Sequence, residues 1–155
     1  MISFQGGGVG WDKLTLEILP SISPKFCQRT IQNQYQYGIY DISNSNNAFK
    51  DYTIVNVLYC SGDLHAGNAT RKWGYTFKVE QTGYKNTIAT LDWIKSQIGD
   101  YLNSDLDSLV ISGQSAGAIG AQLWSHYIIE NFEAKNKVVI IDSYLGVVPE
   151  QAGMI

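Results

Sequence analysis

The sequence predicts an α/β fold, and two observations carry that prediction. Short β-branched runs end in turns rich in Gly and Ser, and they alternate with stretches whose apolar residues recur three and four apart. An alternation of strand, helix, strand, helix, strand joins parallel strands through right-handed crossovers, so the expected product is a mostly parallel sheet with helices on both faces. The chain has 155 residues, 45% of them apolar. That is the size of one domain with a core of its own, here spanning residues 1–155.

In chain order, Met1-Ile2-Ser3-Phe4 is the stub of a strand running into Phe4-Gln5-Gly6-Gly7-Gly8-Val9-Gly10-Trp11. The cluster of glycines suits backbone that adopts positive φ or approaches a ligand closely, and such a loop can aim N–H groups at an anion. From Asp12 to Asn47 the pattern is weak. Leu14, Leu16, Ile18 and Leu19 suit a short strand or helix, Pro20 and Pro24 interrupt the segment after them, and Ser43 to Asn47 is a polar loop. Tyr52 to Tyr59 reads as a strand covered on both faces. The loop Cys60 to Asn68 comes next, and a loop after a parallel strand lines the ligand crevice of an open α/β sheet. Asp63 and His65 are therefore candidate site-lining residues. A histidine in a loop is more often an ordinary hydrogen-bonding residue.

Trp73 to Val79 suits another short strand. Tyr84 to about Leu102 reads as a helix with Ile88, Leu91, Ile94, Ile98 and Tyr101 along one face. Leu109-Val110-Ile111-Ser112 then leads into Gly113-Gln114-Ser115-Ala116-Gly117. A buried strand, Gly-x-Ser-x-Gly and a helix compose a nucleophile elbow. The serine sits at a strained apex with its hydroxyl free, so its neighbours must be nearly without side chains. Ser115 is the candidate nucleophile. The N–H of Ala116 is one candidate oxyanion donor, and Gly7, Gly8 and Val9 in the first Gly-rich loop are the others. The helix after the elbow is expected to bury Ile119, Leu123, Tyr127 and Ile128. Lys137 to Ile141 is a further strand ending at Asp142, a third candidate site-lining residue.

Composition narrows the function classes. The net charge is −3, with 11 Lys+Arg against 14 Asp+Glu and no cationic run, so nothing favours nucleic acid as a partner. No apolar stretch is long enough for a transmembrane segment, and no signal peptide is evident. Cys27 and Cys60 allow one bridge or two buried thiols, and their spacing fits no metal site. No metal or organic cofactor is implied. Asn68-Ala69-Thr70 is a glycosylation sequon, meaningful only in a secreted chain.

A nucleophilic serine needs a base, normally histidine, oriented by a carboxylate. The chain has two histidines. His126 lies on the helix after Ser115, roughly 16 Å along its axis, and His65 precedes the serine, whereas this architecture has the order Ser, acid, His. Asp142 ends the first strand after the elbow helix, one strand earlier than the acid is usual. The expectation is that acid and histidine lie beyond Ile155 and that the domain is incomplete.

Taken together, Gln5-Gly6-Gly7-Gly8, Tyr59-Cys60-Ser61-Gly62-Asp63 with Gly67, Gly113-Gln114-Ser115-Ala116-Gly117, and Asp142-Ser143 resemble the pectin acetylesterase and Notum family of serine carboxylesterases. The resemblance covers nearly the whole chain. It implies a partial α/β-hydrolase fold, a secreted or extracellular location and hydrolysis of acyl esters on a polysaccharide or a lipid-modified molecule. It also implies Ser115 as nucleophile, with oxyanion donors at Ala116, Gly8 and Val9. Val9 and Gly10 stand where the family usually has Trp and Cys, and Gln5 replaces a usual Glu, which marks a divergent member. The alternative from another class is a carbohydrate- or lipid-binding protein that keeps the elbow as architecture.

Overall fold

The structure, a computed structural model, describes residues 1–10, 37–73 and 77–144. Its strands are β1 (Ile2–Phe4), β2 (Val55–Val57), β3 (Ala69–Trp73), β4 (Phe77–Gln81), β5 (Ser108–Gln114) and β6 (Asn136–Asp142). Helix α1 (Gly83–Ser96) precedes β5, helix α2 (Ala116–Asn131) follows it, and a 3-10 turn spans Gly38–Tyr40. Four strands form one sheet in the order β2-β1-β5-β6, and every neighbouring pair in it is parallel. The chain builds outward from β1 to β2, then returns to the other side of β1 for β5 and β6. Strand order thus reverses between β1 and β5, and ligands of open α/β sheets bind at the carboxyl ends beside such a reversal.

Period-two alternation in the central strands sets the faces. Ile2 and Phe4 of β1 and Leu109 and Ile111 of β5 are buried on one face, in one cluster with Leu91 and Ile94 of α1 and Trp124 and Ile128 of α2. Each such side chain contributes about 1.5–3 kcal/mol when fully buried. Both described α-helices therefore cover the same face. On the other face Ser3 pairs in register with Ser112, and the 3-10 turn lies over it, the Tyr40 hydroxyl donating to Ser112 Oγ at 3.1 Å. The parallel sheet and its helices agree with the α/β prediction. A helix on that second face is not found among the described residues.

Several element boundaries differ from the sequence expectation, each for a local reason. The strand expected over Tyr52–Tyr59 is confined to Val55–Val57, because the Tyr59 N–H leaves the ladder to donate to the Gln5 side chain at 2.9 Å. The strand expected over Trp73–Val79 is two antiparallel strands, β3 and β4, outside the main sheet. Helix α1 stops at Ser96 rather than near Leu102. Gly99 takes φ +93°, its N–H donates to the Leu102 carbonyl, and Tyr101 is 85% exposed.

The largest correction is to the buried face of α2. Leu123 is 55% exposed, whereas Ala118, Ala121, Trp124 and Ile128 are buried, as are Gly117 and Gly120. The elbow forces the start of this helix onto β1, where a Cβ at Gly117 would collide with the Phe4 carbonyl oxygen. Only the face made of Gly and Ala can approach that closely, and Trp124 continues it one turn on. The expectations for Trp11 and for Leu14, Leu16, Ile18, Leu19, Pro20 and Pro24 lie outside the described residues.

Candidate active site

Ser115 stands between β5 and α2 with φ 56° and ψ −125°. A positive φ costs a residue with a Cβ of order 1–3 kcal/mol and persists only when the surroundings over-determine it. Here they do. The Ser115 N–H donates to the Asp142 carbonyl at 3.1 Å, and the Ser115 carbonyl accepts the Ala118 N–H at 2.9 Å. A Cβ on Gly113 would overlap the Gly117 carbonyl, so the motif's two glycines are required by backbone-to-backbone contact. Ser115 itself is exposed, and its hydroxyl has no partner among the described residues. The Ala116 N–H begins α2, where the first N–H groups lack intrahelical acceptors and the helix end favours negative charge.

The Gly-rich loop after β1 lies beside this apex. A Cβ built on Gly6 would come within 3.4 Å of Ser115 Cβ. Gly8 has φ +69°. Three bonds tie the loop down: the Tyr59 hydroxyl donates to the Gly8 carbonyl at 2.8 Å, the Gly10 N–H to the Gly62 carbonyl at 2.8 Å, and Gln81 Nε2 to the Gly10 carbonyl at 2.8 Å. Among the described residues nothing accepts from the N–H groups of Gly7, Gly8 or Val9. The candidate oxyanion donors are thus held on a fixed frame and left unbonded.

The three residues predicted to line the crevice separate. Asp142, at the carboxyl end of β6, lines a cavity of about 460 Å³ together with Phe4, Gly6, Ile39, Gln114 and Ile140. Asp63 instead works as a staple. Its carboxylate accepts from Ser61 Oγ at 2.7 Å and from the Gly83 N–H at 2.7 Å, so it caps α1, whose own N-cap residue Thr82 makes no side-chain cap bond.

His65 lies beneath the site rather than on its wall. It is 1% exposed and packed against Phe4 and Tyr59, with ring centroids 5.1 and 4.7 Å away. Its Nε2 is 2.9 Å from the Gln5 carbonyl. A carbonyl only accepts, so Nε2 carries the proton. Burial holds the imidazole below its usual pKa, opposed by the Gln5 bond and the charge of Asp63. The His65 carbonyl in turn accepts from Thr87 Oγ1 at 3.3 Å and Trp124 Nε1 at 2.8 Å, joining α1 to α2. His126 is on the exposed side of α2, 3.3 Å from Glu130. Neither histidine bonds to Ser115.

Gln5 and Tyr59 stand in the motifs that carry the family resemblance, but their bond to each other and that of Trp124 to His65 have no local signal, because the partners lie more than fifty positions apart. Cys60 is disulfide-bonded, which decides between the bridge and the free thiol; Cys27, the other of the chain's two cysteines, lies outside the described residues. Among the described residues no helix is long and apolar enough to cross a membrane, and no group of three or more His, Cys, Asp or Glu is placed to hold a metal ion.

A strained serine between a central parallel strand and its helix, beside the strand-order reversal and next to a Gly-rich loop, defines the α/β-hydrolase class. The pectinacetylesterase family model matches residues 1–144, and the chain belongs to that family, one of ester hydrolases. No curated protein matches the chain, and neither does any solved structure.

Proposed function

We infer that the protein is a serine carboxylic-ester hydrolase that deacylates, and in particular deacetylates, a polysaccharide or another acyl ester outside the cell. Ser115 Oγ attacks the acyl carbonyl carbon and its proton passes to a histidine base. The N–H groups of Ala116 and of Gly7 to Val9 stabilise the oxyanion. The alcohol leaves carrying that proton, and water then releases the acid and restores the serine hydroxyl. The observation carrying this reading is the backbone of Ser115, a non-glycine residue held at φ 56° with its hydroxyl unbonded among the described residues. His65 donates to Gln5 and His126 faces solvent, so this reading takes the base from a histidine other than these two.

The test is labelling with a fluorophosphonate probe in the protein expressed from its complete reading frame. Ser115-dependent labelling, abolished in Ser115→Ala with the fold retained, supports the reading. Equal labelling of the variant refutes it, as does no labelling of the wild type, and leaves the protein a non-catalytic carbohydrate or lipid binder with a retained elbow.

A further inference from the structure

We propose that Tyr59 is a positioning residue for the oxyanion hole, its hydroxyl fixing the Gly8–Val9 peptide so that the Val9 N–H faces Ser115. The inference rests on the serine-esterase reading. Three observations carry it. A phenol has one proton; the Tyr59 oxygen accepts the Leu64 N–H at 3.0 Å, and the Gly8 carbonyl oxygen, 2.8 Å from it, can only accept, so the phenol's own proton makes that bond. The trans peptide is planar, with C=O and N–H antiparallel, so a Gly8 carbonyl pinned towards Tyr59 turns the Val9 N–H the opposite way. Finally, the sheet order β2-β1-β5 puts Tyr59, just after β2, and Ser115, just after β5, on opposite sides of the loop that follows β1. The direction away from Tyr59 is therefore the direction of the nucleophile.

The surroundings keep this arrangement in place. Tyr59 is 2% exposed, and its ring lies over His65 at 4.7 Å. Leu64 supplies its N–H from a residue at φ +58°, a conformation that a leucine keeps only under constraint. Burial pushes the phenol's pKa far above its usual value, so the donor keeps its proton wherever an ester hydrolase works. A carbonyl that accepts a hydrogen bond also polarises its own peptide, which makes the Val9 N–H a stronger donor. Gly8 at φ +69° is conformationally permissive, so without the hydroxyl its carbonyl has no side chain to hold its direction.

Tyr59→Phe removes the hydroxyl and keeps the ring. Losing one oxyanion donor outright costs about 10²–10³-fold in kcat, and loosening one is expected to cost about 10- to 100-fold. In the complete protein, the variant should show that fall both in kcat for p-nitrophenyl acetate and in the rate of Ser115 phosphonylation, with KM within about twofold of wild type. A merely structural role would change the melting temperature without splitting kcat from KM. The second readout needs no variant: in protein labelled with 15N-valine, the Val9 amide proton should move downfield when the tetrahedral phosphonate forms on Ser115. A Tyr59→Phe variant with kcat and phosphonylation rate within twofold of wild type overturns the proposal, and so does a Val9 amide unmoved by the adduct. If the wild type is not labelled at Ser115, the esterase reading itself falls, an outcome distinct from labelling that is indifferent to Tyr59.

Discussion

Replacing His65 by alanine separates a structural histidine from a general base. The substitution removes the imidazole donor to the partly buried Gln5 carbonyl at 2.9 Å, a loss of about 1 kcal/mol for one intramolecular hydrogen bond. It also removes a ring that packs against Phe4 and Tyr59 and against which Gly120 is closely apposed. The resulting cavity adds roughly 2–3 kcal/mol, below the range for deleting Phe or Trp. Because the terms share neighbours they do not simply add, and the expected destabilisation is about 2–4 kcal/mol, a large part of the about 5–15 kcal/mol typical of a domain. Urea unfolding of the complete protein measures it.

Acid supplies a second, signed test of the same residue. Unfolded imidazole binds a proton near pH 6.5, while burial lowers the folded pKa of His65. Below about pH 6.5 the unfolded state therefore holds more protons than the folded one. Stability present above that pH is lost as pH falls towards the folded pKa, at up to about 1.4 kcal/mol per pH unit from this group. The alanine variant lacks that component, so the stability gap between it and the wild type should narrow in acid. Loss of a general base would instead cost about 10²–10⁴-fold in rate. A variant that unfolds like the wild type yet loses Ser115 phosphonylation by that factor would refute the reasoning and make His65 the base.

Gly117→Ala should cost more than about 3 kcal/mol or prevent folding, because the added Cβ meets the Phe4 carbonyl and the Gln5 backbone, neither of which can swing aside; chemical denaturation reads it. Leu123→Gln, by contrast, should stay within about 0.5 kcal/mol of wild type in the same assay, since Leu123 is largely exposed. Asp63→Ala removes the acceptor of the Gly83 N–H and should cost about 0.5–2 kcal/mol as a lost helix cap, with exchange of the first amides of α1 as the local readout. The 155 residues expressed alone should hydrolyse p-nitrophenyl acetate no faster than their Ser115→Ala form, because neither histidine reaches the serine; Ser115-dependent turnover would place the base within them.

Much of the site's local shape was legible in the sequence. Gly113, Ser115 and Gly117 announced a strained turn because glycine spacing reports where backbone has no room for a Cβ, and the β-branched run before it announced a buried strand. Both are properties of a few consecutive residues, and the alternation of strand and helix along the chain announced the parallel sheet. The glycines of the first loop marked a place for positive φ, and Gly8 takes one.

What packs against what was decided only by the tertiary structure. Position after a strand suggested that Asp63 and His65 face the crevice, yet one caps α1 and the other bonds to Gln5 across 60 positions. Helical periodicity assigned Leu123 to the core, but the approach of α2 to β1 is limited by a backbone collision at Gly117, which turns the Gly, Ala and Trp124 face inward. Tyr59 carries no local mark of its role, because its partners Gln5 and Gly8 lie 54 and 51 positions away. Residue patterns encode the period of an element and the space its backbone needs. Which polar groups meet depends on how the strands are ordered, and here that order, β2-β1-β5, sets Tyr59 and Ser115 on either side of one glycine loop.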